Sequence, residues 1–239
     1  MYTNFPFQVL ITSIRSNDVA GVKFLLNKRG LLVGPEGVID LDMDHGVYRA
    51  VVENGNQRIV DLVVNNDKRV IPHLLNYASK CGKLDLITYI LQEYSTMITQ
   101  LDIDNILRYA SIKCYINIIE YSLKLGANIN EICNSAAYGG HVELLLWAID
   151  NGANLPNNNC LSVGLYHAIQ KNDEISTHRL YNMCTDPLQH CLNEDNLDVM
   201  LKIIQIKEVD FVTLLKKSVK VESKRIFTHL SLICGNSKL

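Results

Sequence analysis

One short segment has side chains of the type that bind calcium. Asp40, Asp42 and Asp44 alternate along the chain, as oxygen ligands do at the start of a calcium-binding loop. The glycine that follows, Gly46, comes one place too late for such a loop, and the twelfth position is Val51 rather than glutamate. The pattern therefore favours an acidic hairpin over a calcium site.

Four side chains between residues 178 and 191 are of the types that bind zinc. They are His178, Cys184, His190 and Cys191. Their spacing matches no standard zinc site, and the repeat described below assigns Cys191 to a buried position. We therefore expect no metal ion and no other cofactor.

The seven cysteines do not form a pattern typical of a disulfide framework or a zinc ribbon. Their number is odd and no two of them are spaced as Cys-x-x-Cys, so we expect reduced thiols. No family signature of a catalytic cysteine surrounds any of them. The sequence also lacks a glycine-rich phosphate loop, a Gly-x-Ser-x-Gly turn and a His-Glu-x-x-His helix. We expect no enzymatic activity.

The overall composition predicts an ordered protein of one or two domains. Of its 239 residues, 48% are hydrophobic and 20% charged, which is enough to form a substantial core. The net charge of -2 disfavours general binding to nucleic acid or to an acidic membrane, since both need an excess of basic residues. No apolar run approaches the roughly 18 residues of a membrane span, and the N-terminus does not resemble a signal peptide. We expect an intracellular location, in the cytoplasm or nucleus.

The charge is uneven, because residues 200–239 contain eight basic residues against three acidic ones. The favoured interpretation is a solvated basic helix face, and the alternative is a docking patch for an acidic partner or for nucleic acid. The basic residues that would form this patch are Lys216, Lys217, Lys220, Lys224 and Arg225.

The chain contains an internal repeat, which is clearest in residues 78–87, 110–119 and 136–145. In each segment a small residue lies four places before a turn, and apolar pairs follow four and five, then eight and nine, places after it. This is the pattern of a helix, a tight turn and a second helix with one apolar stripe. It predicts an all-α fold with eight units. Their turns are anchored at Asn17, Gly55, Gly82, Cys114, Gly140, Asn172, Asp195 and Glu222.

These units resemble the ankyrin family. The resemblance is best at residues 125–130 (Leu-Gly-Ala-Asn-Ile-Asn), 140–143 (Gly-His-Val-Glu) and 151–155 (Asn-Gly-Ala-Asn-Leu), and residues 186–191 look like a degraded Thr-Pro-Leu-His-x-Ala opening. It implies a single ankyrin-like helix-turn-helix solenoid over residues 1–239, with about eight degenerate repeats. Most units lack the opening and several are shorter than about 33 residues. We therefore expect few short β-hairpins, with clear ones only after Gly126 and Gly152. A solenoid of helical pairs from another family is the alternative.

Divergent repeats rich in Asn and Ile, with scattered cysteines, resemble the ankyrin proteins of large cytoplasmic DNA viruses. The resemblance implies a module that binds a partner protein in a concave groove. By this resemblance the partner is a host protein. The resemblance further implies a viral modulator of host signalling, innate immunity or ubiquitin-dependent degradation in the host cytoplasm or nucleus. We favour a monomer. The alternatives are a nucleic-acid-associated protein that uses the basic C-terminal unit and a self-assembling structural protein.

In each unit two positions of the first helix, five and two places before the turn, are not needed for the apolar stripe. In a stack of units each of these positions forms a column. If the family resemblance holds, they face the concave groove, where aromatic side chains are typical of binding hot spots. The alternative is that the tyrosines cap the packing between repeats and keep their hydroxyls in water. The candidates are Tyr77, Tyr109, Tyr138, His167 and His190, together with Lys80.

Trp147, the only tryptophan, lies seven places after its turn and outside the predicted stripe. A core position is the favoured interpretation. Its alternative role is a partner anchor on the surface.

Overall fold

The computed structural model describes residues 5–28, 45–154, 156–206 and 211–236. The chain divides into two compact units, Met1–Asn128 and Ile129–Leu239. The aspartates of the expected acidic hairpin, Asp40, Asp42 and Asp44, lie outside the described residues, as do Lys207 and Lys238 of the basic C-terminal segment.

The described residues of the first unit form four pairs of helices and two short 3-10 turns, at Lys68–Val70 and Ser95–Met97. Its helices are α1 (Phe5–Arg15), α2 (Val19–Asn27), α3 (His45–Asn54), α4 (Gln57–Asn66), α5 (Ile71–Lys80), α6 (Leu84–Glu93), α7 (Gln100–Lys113) and α8 (Ile116–Lys124). The first helix of each pair packs against the first helix of the next, in the order α1, α3, α5, α7.

The second unit also contains four pairs. Its helices are α9 (Asn130–Gly139), α10 (Val142–Asp150), α11 (Asn158–Gln170), α12 (Glu174–Met183), α13 (Gln189–Asn193), α14 (Leu197–Ile206), α15 (Phe211–Lys220) and α16 (Lys224–Asn236). The first helices α9, α11 and α13 again pack in succession.

The prediction of an all-α fold is confirmed, since the described residues form helices and turns without any β-strand. The expected β-hairpins are wrong for this part of the chain. After Gly126 the helix α9 already begins at Asn130, which leaves too few residues for two paired strands. Among the described helices none combines the length and apolar character needed to cross a bilayer.

All eight predicted turn anchors lie between the two helices of a pair, and each has a positive φ, between 48° and 74°. In seven of these turns the N–H that follows the anchor donates to the carbonyl five residues earlier, at 2.8–3.0 Å. This is the helix-ending bond of a Schellman motif, which requires a left-handed residue at the anchor position. At Gly55 the following N–H, of Asn56, donates instead to the side-chain oxygen of Asn54.

The small residue four places before the anchor both accepts that bond and allows close packing. Ala78, Ala110, Ala136 and Ala168 are completely buried, and Cys191 is 1% exposed. A larger side chain here would separate the first helix from its neighbour, because interhelical distances depend on the side chains at the contact.

The apolar stripe of the second helices is buried almost throughout. Of its 32 predicted positions only Phe227 is exposed, and the rest are buried or half-buried. Ser122 is a polar exception that is fully buried, and its hydroxyl donates to the carbonyl of Ile118 at 2.8 Å. The burial of a hydroxyl is tolerated because this bond satisfies it.

Side chains of Asn and Asp on first helices hold the loops that follow the second helices, where hairpins were expected. Asp104 Oδ1 accepts a bond from the backbone N–H of Asn128 at 2.8 Å, and Asn130 Oδ1 accepts one from the N–H of Asn154 at 2.7 Å. The donor in each case follows the Gly-Ala of a turn. A single side-chain bond therefore fixes the loop without strand pairing.

Polar contacts also join second helices. Asp61 Oδ1 accepts bonds from the hydroxyls of Tyr89 and Tyr94 at 2.6 and 2.7 Å. Burial and the neighbouring carboxylate raise the pKa of both tyrosines well above the ordinary range. In the other unit Arg179 forms a two-pronged ion pair with Asp150, at 2.6 and 3.2 Å.

Replacing Cys114 by glycine is expected to stabilise the protein by about 1 kcal/mol, because Cys114 adopts φ +57° and a left-handed conformation is unfavourable for a residue with a Cβ. The free energy of unfolding in urea is the measurement. Gly55→Ala is the reverse control and should cost about 1 kcal/mol, since an added Cβ meets nothing within 4 Å and only φ is penalised. A Cys114→Gly protein less stable than the wild type would contradict this account.

Candidate interaction surfaces

A ring stack in the first unit holds Tyr77 in place. Tyr48 is fully buried, and its ring lies parallel to the ring of His73, with 5.1 Å between centroids. The ring of Tyr77 is tilted against Tyr48 at 6.4 Å. The sequence columns do not include Tyr48, which lies seven places before its turn.

The structure brings together three of the predicted residues. The ammonium nitrogen of Lys80 lies 4.3 Å from the ring centroid of Tyr109 and 5.3 Å from that of Tyr77. Lys80 is exposed, whereas both tyrosines are half-buried between the first helices α3, α5 and α7. A cation over aromatic faces is attracted by the ring quadrupoles. We call Tyr77, Lys80 and Tyr109 the Lys80 cluster.

In the second unit His167 and His190 lie on either side of an unpredicted tyrosine, Tyr166. The rings meet edge to face, with centroids 5.3 Å apart for His167 and 4.8 Å for His190. The hydroxyl of Tyr166 accepts bonds from Gln170 at 2.8 Å and Asn196 at 3.0 Å. We call Tyr166, His167 and His190 the Tyr166 cluster.

Burial lowers the pKa of both histidines. For His167 the neighbouring positive charges of His190 and Lys171 lower the pKa further, whereas a hydrogen bond with Gln170 acts in the opposite direction. For His190 burial outweighs the attraction of Glu194. At neutral pH the Tyr166 cluster is therefore an uncharged aromatic surface.

Tyr138 differs from the other candidates because its side chain is 58% exposed. Its hydroxyl accepts a bond from the side-chain amide of Asn159 at 2.7 Å. Tyr77 and Tyr109 contribute to packing between helices, whereas more than half of Tyr138 is exposed, so its role as a binding residue stays a prediction.

The expected core position of Trp147 is wrong, since its side chain is 41% exposed. At 100° per residue, position seven of the second helix points about 130° away from the middle of the apolar stripe. Trp147 therefore lies on the outer face of α10, where its alternative role as a partner anchor remains a prediction.

The basic candidates of the last helix pair have different environments. Lys217 is half-buried and pairs with Asp186 at 2.6 Å, so its charge is already neutralised. The other four side chains are exposed and form no ion pair within the described residues. They are Lys216, Lys220, Lys224 and Arg225.

The cysteines and histidines do not assemble a metal centre in the described part of the chain, where no three metal-binding side chains converge. Cys191 is buried, and its thiol donates to the carbonyl of Leu188 at 3.0 Å. Burial raises the pKa of Cys160 and Cys191 to about 12 and that of Cys184 to about 11. At neutral pH these thiols are protonated and therefore poor nucleophiles.

No model of a known protein family matches this sequence, and no curated protein matches it. The resemblance to ankyrin repeats therefore depends on the repeat pattern and the segments that carry it. Any role must be argued from the surfaces described above.

Changing Tyr138 to alanine is expected to alter the free energy of unfolding by less than about 0.5 kcal/mol, because the side chain is mostly in water. Tyr77→Ala should cost about 1–2 kcal/mol, since it removes a half-buried ring from the contact with Tyr48. Chemical denaturation of both variants measures the difference. An equal loss of unfolding free energy in the two variants would show that their different exposure does not determine their contribution to stability.

Acid should destabilise the second unit through the Tyr166 cluster. A histidine whose folded pKa lies below its ordinary value of about 6.5 binds protons better when unfolded, so stability is full above this pH and falls below it. The unfolding midpoint should therefore decrease between about pH 7 and about pH 5. His167→Gln/His190→Gln should reduce this decrease, whereas His178→Gln, which removes an exposed imidazole, should retain it. An unchanged slope in the double variant would rule out this cause.

Proposed function

We propose that this chain is an ankyrin-type repeat protein that binds a partner protein through the exposed side of its first helices. The Lys80 cluster is the centre of the binding surface in the first unit. The surface needs no cofactor, and we assign the chain no catalytic role.

The scaffold supports such a role. Within each unit successive first helices pack against each other, in the order α1, α3, α5, α7 and in the order α9, α11, α13, and a left-handed turn joins the two helices of every pair. Repeated pairs of this kind present equivalent positions side by side, which suits the recognition of an extended surface. Side chains two places before the turn, such as Lys80 and Tyr138, are exposed on this scaffold.

One observation supports the proposal most strongly, namely the position of the Lys80 ammonium over the rings of Tyr109 and Tyr77. The contact restricts a long side chain before binding, so less conformational entropy is lost when a partner arrives. No carboxylate of the described residues pairs with Lys80. Its charge is therefore available to a carboxylate of the partner, while the ring edges offer apolar contact.

In the second unit, Tyr138 and the Tyr166 cluster offer aromatic contact without charge at neutral pH. Tyrosine buries a large area at low entropic cost, which explains its frequency in binding surfaces. The resemblance to the ankyrin proteins of large DNA viruses supports a host protein as the partner, and a role in modulating host signalling, innate immunity or protein degradation.

The test is quantitative capture of proteins from a host-cell extract on the immobilised wild-type chain and on variants, followed by direct titration of the most enriched protein. Lys80→Glu should weaken binding at least tenfold, because it replaces the free charge and repels a carboxylate. Lys124→Glu makes the same charge change on a second helix and should leave the affinity within about twofold.

Tyr138→Ala and Trp147→Ala extend the comparison, because both remove an exposed aromatic side chain and only Tyr138 is on a first helix. We expect the larger loss for Tyr138→Ala. Loss of binding in Trp147→Ala with full binding in Lys80→Glu would show that the partner uses the second helices, and would refute the proposal.

A further inference from the structure

The last helix pair, α15 and α16, exposes two apolar side chains at positions that are buried in every other pair. Phe227 is 40% exposed and Val219 is 58% exposed. Phe227 occupies the stripe position five places after the turn anchor. Val219 lies three places before the anchor.

The equivalents of these two residues show that the exposure is specific to the last pair. Five places after the anchor, the seven other pairs have Val22, Val60, Ile87, Ile119, Leu145, Thr177 and Met200, none more than 8% exposed. Three places before the anchor they have Ile14, Val52, Ser79, Ser111, Ala137, Ile169 and Leu192, none more than 4% exposed. Both positions therefore belong to the apolar core of a helix pair, and in the last pair they are open.

A shallow groove runs along this open face. It is lined by Ser218, Val219, Glu222, Ser223, Lys224 and Phe227, so it lies across the turn that joins α15 to α16. In the other pairs the same two positions are buried inside an all-helical core, so a helix is the element that would cover them here.

The rim of the groove is basic. Lys224 and Glu222 line it, and Lys216 and Lys220 flank Val219 on α15, three places before it and one place after it. These three lysines are exposed and have no ion pair within the described residues. We call Val219 and Phe227 the apolar floor of the groove. A helix that covers this floor would place its flanks beside these cations. Acidic flanks would be attracted and basic flanks repelled.

The charges of this chain argue against a second copy as the occupant. Two copies that meet through the same face would bring two basic rims together. The described exposed charges of the first pair include Arg15, Lys23 and Lys28 against Asp18, so a head-to-tail contact also lacks an acidic surface. Nucleic acid would match the charge and leave the apolar floor without a counterpart.

We propose that the open face of α15 and α16 binds an amphipathic helix of another protein that is apolar on one side and acidic on its flanks. This site is separate from the Lys80 cluster and does not depend on the function assigned to that cluster. Its recognition mode is a helix in an apolar groove, with leucine-like anchors one turn apart.

The probe is a fluorescein-labelled synthetic peptide of about 18 residues with leucines at helical spacing and glutamates between them. Fluorescence anisotropy should show saturable binding to the wild-type chain. Two peptides of the same design, with glutamine or lysine replacing glutamate, should bind at least about tenfold more weakly.

Two pairs of substitutions test the floor and the rim. Val219→Ser/Phe227→Ser and Lys220→Glu/Lys224→Glu should each weaken binding of the acidic peptide at least about tenfold. The matched controls make the same changes at exposed side chains elsewhere. They are Phe24→Ser/Ile175→Ser and Lys113→Glu/Lys124→Glu, and both should stay within about twofold of the wild type.

The rim substitution also predicts a gain of binding, which a misfolded variant would not show. Lys220→Glu/Lys224→Glu should bind the lysine peptide more tightly than the wild-type chain does. Lys80→Glu should bind the acidic peptide like the wild type, so failure of this site is distinguishable from failure of the Lys80 cluster.

Three outcomes would overturn the proposal. The first is equal binding by the floor variant and its control. The second is displacement of the peptide by single-stranded DNA, together with unchanged peptide binding by Val219→Ser/Phe227→Ser. This result would identify a surface for polyanions. The third is a wild-type dimer in sedimentation equilibrium that Val219→Ser/Phe227→Ser dissociates, which identifies a second copy as the occupant.

Discussion

Each helix pair of this protein has an apolar face that it cannot cover by itself. Two helices of about ten residues can bury the contact between them, but the remaining stripe needs a neighbouring pair. The tight left-handed turn and the buried small residue four places before it, such as Ala78 or Ala136, allow the pairs to approach closely enough. Stability within each unit then comes from contacts between sequence neighbours. In α15 and α16 the described residues leave Val219 and Phe227 of this face exposed.

Short polar side chains complete the connections that apolar packing cannot make. Asp104 and Asn130 hold the backbone of the following loop, and Asp61 accepts two tyrosine hydroxyls. Asn suits this chain because it tolerates the left-handed turn and its side chain bonds to nearby backbone. Asn17 and Asn172, at two of the turn anchors, meet the first requirement. Loops tied in this way need no β-hairpin.

The surfaces that packing leaves free differ in chemistry. The Lys80 cluster combines a cation with aromatic rings, and the Tyr166 cluster is aromatic and uncharged at neutral pH. The open face of the last pair combines an apolar floor with a basic rim. In the first two, half-buried rings are held by neighbouring side chains before any partner binds, so their geometry is a consequence of the same packing that stabilises the helices.

The sequence by itself determined the helices, the turns and the buried stripe, because these depend on residue type at fixed spacing along one or two helical turns. Thus Cys114 and Glu222 could be identified as turn anchors although neither is glycine, and the structure shows both with a positive φ. It predicted hairpins after Gly126 and Gly152 and a core Trp147, and the described structure shows neither. Only the tertiary structure decided that Lys80 lies over two rings, that Tyr48 and Tyr166 organise their neighbours, and that Phe227 is exposed. These outcomes depend on which side chains of other helices are within reach, and spacing along one chain segment contains no information about that distance.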